Sequence, residues 1–266
     1  MKQKKSFFIK CVCIFFIATC ISTQGFSFFN KNSSSFLDFA NISDQPCNII
    51  YVVVPSFRSI DKEEMYAKKL AARYILLQKS FYIEFVQLIA TNSSVVFDKS
   101  DYRYLYDENS VPKIAEKLSI IESKELDRGY ILYSIKNNNG VSESRATLYG
   151  IPKSAFVKKD TMPMWVKNTP KSSEGYYVAI GFMKTSRNLS KNIFEADMTV
   201  AQQLALNKNI QLKSDLKNSS QEMGRVKAQK NMETISQHTA ETLKGFTIID
   251  RWVDKNGGIY SLGVCK

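Results

Sequence analysis

The residue with the clearest chemistry in this 266-residue chain is Cys20. It closes Ile17-Ala18-Thr19-Cys20, a stretch with the form of a bacterial lipobox. There a thiol nucleophile takes a lipid and becomes the new N-terminus. The residues before it fit an export signal, with Lys2, Lys4, Lys5 and Lys10 as a basic start and Cys11 to Ala18 as an apolar stretch. That stretch is too short for an ordinary spanning helix, which needs ~20 apolar residues. Thr19 stands where Gly, Ala or Ser is usual, so the alternative is signal-peptidase cleavage after Gly25 or Ser27. Residues 1–27 are thus a signal segment, and 28–46, rich in Ser and Asn, a polar tether.

Other reactive types are sparse. Cys47 and Cys265 are the only cysteines beyond the signal. An oxidising envelope permits a bridge between them, and free thiols are the alternative. His238 is the only histidine, which argues against a His-centred triad or a multi-His zinc site. Its neighbours place it on a helix surface. Asp250 and Asp254 flank Trp252 and would share a strand face, as an acid pair, a calcium site or plain solvated acids. No Gly-rich phosphate loop precedes a helix. No catalytic residue, metal or cofactor is therefore expected.

Aromatic residues supply the candidate contact surface. Tyr102, Tyr104 and Tyr106 alternate, so in a strand they would share a face, either as a tyrosine ladder or packed on a core. Trp165, between Pro163 and Pro170, is either a recognition anchor or a lid over a core edge. Net charge is +12, and a chain without the four signal lysines would keep +8. The lysines are scattered among Asn and Ser without a dense basic block, which reads as a solvated surface. Nucleic acid is not an expected partner; peptidoglycan is a candidate polyanion.

The elements that must position these groups repeat. "IIYVVVP" reads as a strand, Asp61 to Lys79 as an amphipathic helix capped by Asp61 and Glu64, and "FYIEFVQLIA" as a strand. The second half gives "YYVAIGF" as a strand, Asn192 to Asn207 as a helix, and "NIQLKSDL" as a strand. Each half then offers a helix ending in a similar tetrapeptide, Ala115 to Leu118 and Ala240 to Leu243, the second being a long helix from Ser219. Strand pairs follow: "SIIES" and "YILYSIK", then a hairpin through Asn139-Gly140 into "ATLYG"; and "FTIIDRWV" and "IYSLGV" around Asn256-Gly257-Gly258. The expected fold is α+β, with two similar lobes at 47–150 and 163–266 joined by a linker at 151–162. Each lobe is a mainly antiparallel sheet with helices packed on one face.

Pro163-Met164-Trp165-Val166, Pro170, Tyr177 and Gly181, the Ala-rich helix with Ala196, Ala201 and Ala205, and Leu243, Gly245, Ile248, Asp250, Trp252, Asp254, Gly257, Tyr260 and Leu262 together resemble the LPP-twenty lipoprotein family. The resemblance covers residues 160–266. Ala179 departs from it, where a second glycine is commoner. It implies an exported lipoprotein with a compact strand-and-helix domain similar to one in the flagellar assembly protein T, and it supplies no catalytic residues.

The expectation is an exported, lipid-anchored, non-enzymatic envelope protein of the periplasm or outer membrane. Its role would be structural or assembly-related, through contacts with envelope proteins, with a flagellar setting as an extension by fold analogy. The alternative is a periplasmic binding module for wall polymer or a small solute.

Overall fold

A computed structural model describes residues 42–89, 102–126, 129–159, 161–184, 188–220 and 235–266. The first half opens with β1 (Ile49–Pro55), α1 (Ile60–Lys79), β2 (Phe81–Ile89) and β3 (Tyr102–Leu105). It continues with the short α2 (Val111–Ala115), then β4 (Ser119–Leu126) and β5 (Tyr130–Lys136). After α3 (Arg145–Leu148) come β6 (Lys158–Lys159), β7 (Met162–Pro163) and α4 (Met164–Lys167). The rest is β8 (Tyr177–Met183), α5 (Leu189–Ser220), β9 (Ile235–Leu243), β10 (Thr247–Val253) and β11 (Ile259–Cys265).

The architecture is α+β, with antiparallel sheets and packed helices. One sheet has the order β1-β5-β4, another β10-β11-β8, and a third β3-β2-β9; β6 and β7 make a small ribbon. The third sheet takes strands from both halves: β2 pairs with β9 from Phe81↔Leu243 to Ile89↔Ile235. The halves are therefore interlaced rather than separate.

Burial follows from residue spacing. Helix α1 buries Ala67, Ala71, Ala72, Ile75 and Leu76 at i, i+4, i+5, i+8 and i+9, packed with Val52 and Val54 of β1. Along β1 the alternate residues Tyr51 and Val53 pack instead with Ile193 and Ala196 of α5. In β11 the same alternation sends Leu262 and Val264 against Trp165, and Gly263 and Cys265 towards the α5 side. The second sheet is thus covered on both faces, by α5 and by residues between Tyr149 and Trp165, rather than on one. Ile151 and Ala155, inside the stretch expected as a linker, belong to that covering and are buried.

At Gly181 helix α5 lies almost on the backbone of β8. An added Cβ would sit 2.2 Å from the Ala196 carbonyl oxygen and 2.6 Å from the Val200 nitrogen. Only glycine fits there. The neighbouring position Ala179 is 3% exposed, and it is filled by a methyl group.

Three expected elements differ. "NIQLKSDL" is not a strand; helix α5 runs on through it to Ser220. The long helix expected from Ser219 to Leu243 is, over Ile235–Leu243, strand β9; residues 221–234 lie outside the described residues. "ATLYG" begins as helix α3, whose N-cap Ser144 accepts a hydrogen bond from the Thr147 N–H. The cap of α1 also differs. Its N-cap is Ser59, with no side-chain bond, while Asp61 lies in the first turn, where a negative charge suits the helix dipole.

Candidate functional site

Cys20 lies outside the described residues. Tyr104 sits in β3 and Tyr106 just beyond it, and both are half-buried against the core. Their rings stack 6.0 Å apart with planes 3° from parallel, and Tyr104 also meets Phe194 at 5.8 Å. Burial raises both phenols above the ordinary tyrosine range. Strand β3 turns Arg103 and Leu105 outward, the latter 57% exposed. Tyr104 and Tyr106 are therefore core-packed residues rather than an open ladder. Tyr102 shares the strand, paired with Phe85.

Trp165 is likewise no surface anchor, because it is fully buried. Its indole Nε1 donates to Asp250 Oδ2 at 3.0 Å. Asp250 and Asp254 do not act as a pair. Asp250 faces Trp165, whereas Asp254 Oδ1 accepts from the Asn256 and Gly258 N–H groups at 2.7 and 2.8 Å, shaping the β10–β11 turn. The bulge in β10 between Ile248 and Asp250 shifts the face that each residue presents. His238 lies in strand β9, opposite Val86, rather than on a helix.

Cys47 and Cys265 are both free thiols, so the structure contains no bridge between them. They are buried in different parts of the core, Cys47 beside Tyr149 and Trp165, Cys265 beside Leu243 and Phe246. Burial raises both thiols, and Cys265 is pushed up to about 12.

Among the described residues, a dense polar cluster lies where the halves meet. Asp197 projects from α5 with no exposed surface. It receives Arg251 Nε at 3.1 Å on Oδ1 and Arg251 Nη2 at 2.7 Å on Oδ2, a bidentate fork. Ser261 Oγ donates to Oδ1 at 2.6 Å and Tyr74 Oη to Oδ2 at 2.5 Å. Arg251 also reaches the Tyr51 carbonyl at 3.5 Å and lies over the Tyr74 ring, 5.6 Å from its centroid. Burial alone would lower the Arg251 guanidinium, but Asp197 and Tyr74 outweigh it and hold it above its ordinary value. Tyr74 is raised well above its own, by burial and then by Asp197. The cluster thus ties α1, α5, β1, β10 and β11 together.

Beside it is a cavity of about 50 Å³ lined by Arg251, Tyr74, Tyr51, Gln78, Cys47 and a second arginine, Arg145. Arg145 is 5% exposed. Its Nη1 donates to the carbonyls of Ile42, Gln45 and Pro46 at 3.4, 3.2 and 2.9 Å, and its Nη2 to that of Ile49. It thereby pins the chain entering β1.

Asp197, Arg251, Arg145 and Tyr74 were not singled out by sequence reasoning. Asp197 carried a signal all the same: it is an acid on the apolar face set by Ile193, Ala196, Val200 and Ala201. Arg251 carried another, a cation inside the run Ile248-Ile249-Asp250-Arg251-Trp252-Val253.

The stretch from Pro163, through Gly181 and α5, to β11 is the part that bears the resemblance. Residues 163–264 match the LPP20 lipoprotein family model. The LPP20 region therefore begins at the proline that caps α4 and ends inside β11. It includes Asp197, Arg251, Trp165, Asp250 and Gly181, while Arg145 and Tyr74 come from outside it. The LPP20 match points to an exported envelope lipoprotein. No curated protein and no solved structure matches the chain. No helix among the described residues is long and apolar enough to cross a membrane.

Proposed function

We propose that this is an exported envelope protein, lipid-anchored through Cys20, with a non-enzymatic structural or assembly role carried by contacts with other envelope proteins. The observation that carries this reading is the LPP20 match over residues 163–264 in a chain that opens with a basic, apolar, lipobox-ending segment. The buried polar groups support it. Asp197 and Arg251 spend their charges on each other, and the Asp250 carboxyl is closed off by Trp165.

We further propose that the two halves are diverged copies of one plan. In each, the opening strand pairs with the closing strand, and that one with the strand before it: β1-β5-β4 and β8-β11-β10. Both β4 and β10 carry a bulge at the same place, in Ser119-Ile120-Ile121-Glu122 and Thr247-Ile248-Ile249-Asp250. The strands that follow α1 and α5, β2 and β9, pair with each other antiparallel. That is the arrangement a two-fold relation between copies would give.

The test of function is crosslinking in cells followed by isolation and identification of partners. Specific envelope proteins captured by the wild type support the assembly role. Salt-sensitive sedimentation with purified peptidoglycan, without protein partners, would replace it with the wall-binding reading that the lysine excess suggests. For the anchor, Cys20→Ala is expected to abolish acylation and move the protein out of the detergent phase; unchanged partitioning rejects a lipid at Cys20.

A further inference from the structure

We propose that the cavity beside Arg145 is a site for one small monovalent anion, of the size of chloride or formate. The argument begins with charge. Two guanidinium groups line this cavity, and each is nearly or wholly buried. The charge on Arg251 is matched by Asp197 at 2.7 Å. That on Arg145 is matched by no carboxylate among the described residues. Four backbone carbonyls solvate its Nη atoms, but carbonyls are dipoles and leave a full positive charge in the interior. Arg145 Nε has no hydrogen-bond acceptor among the described residues. Buried arginines are ordinarily paired, because an uncompensated buried charge costs several kcal/mol.

The rest of the lining suits an anion. Tyr51, Gln78 and Thr247 bring groups able to donate hydrogen bonds, and no acid lines the cavity among the described residues. Burial, and then the charge on Arg251, lowers the Arg145 guanidinium, and an anion would relieve both. A volume of about 50 Å³ exceeds the ~10–15 Å³ that one water requires, yet is small for a bulky polyatomic ion. Arg145 comes from α3, whereas Arg251 and Thr247 come from β10. An anion there would therefore tie the chain entering β1 to the LPP20 region.

The test is thermal unfolding of the mature chain in gluconate, replaced stepwise by chloride or formate at constant ionic strength. A saturable rise in midpoint is expected, roughly 3–5 °C at ten times the dissociation constant. The rise should be absent in Arg145→Met. Equal midpoints in gluconate and chloride, or the same rise in Arg145→Met, would overturn the proposal. Should that variant not fold, crystals of the wild type soaked in bromide decide the matter. An anomalous peak in contact with Arg145 supports the site, and a cavity without one rejects it.

Discussion

Asp250→Asn offers a direct test of how the second sheet is sealed. Asp250 is 8% exposed beneath Trp165, and burial raises its carboxyl from 3.8 to about 7, against the opposing effects of the Trp165 and Arg251 N–H bonds. Between about pH 4 and 7 the folded chain keeps a proton that the unfolded chain has released. The unfolded state then binds fewer protons than the native state, so stability falls as pH rises through that window. The fall levels off above about pH 7, once both states are ionised. A shift of roughly three units corresponds to about 4 kcal/mol across the window. Asparagine keeps an oxygen to accept the Trp165 N–H and cannot ionise. The variant should therefore gain on the wild type as pH rises, by up to about 4 kcal/mol at pH 8 relative to pH 4. Urea unfolding of both proteins at several pH values, at fixed ionic strength, measures that difference, and all other titrating groups cancel in it. A difference that stays constant with pH would refute the buried-acid reasoning, whatever its sign.

Gly181→Ala is predicted to cost about 3 kcal/mol or more, because its methyl group meets the α5 backbone; an unchanged melting temperature would mean that the helix stands farther from β8. Asp197→Asn should cost about 3–5 kcal/mol by leaving Arg251 charged without its counterion, while Tyr74→Phe should cost only about 1–2. Urea midpoints would rank them, and equal costs would show that the ion pair is not the dominant tie. Cys47 and Cys265 should resist a thiol reagent in the folded protein and both react in denaturant. An intact mass two hydrogens short would instead reveal a bridge.

Elements held by their own pattern were legible in the sequence. The β-branched run of β1, the apolar spacing of α1 and the Asn-Gly-Gly turn before β11 each specify local structure without outside help. Elements decided by distant partners were not. "ISQHTAETL" is polar enough to read as an exposed helix, yet it is strand β9 because β2 supplies its ladder. "NIQLKSDL" alternates like a strand, yet the helix already under way at Leu189 continues through it. The aromatic candidates failed as surfaces for a related reason. Trp165 and Tyr104 have the right chemistry for recognition, but large rings also fill cores, and only the fold decides between the two. Arg145 was invisible because its partners are backbone carbonyls, which no sequence pattern marks.

The pairing of β2 with β9 also sets the order in which the molecule can be finished. A polypeptide emerging vectorially presents β2 long before β9 exists, so one edge of that ribbon waits while the remaining residues arrive. Contacts this distant along the chain slow assembly and leave a strand edge open to strangers in the interval. A fragment ending near Gly150 would carry that open edge permanently, and should aggregate where the complete chain does not.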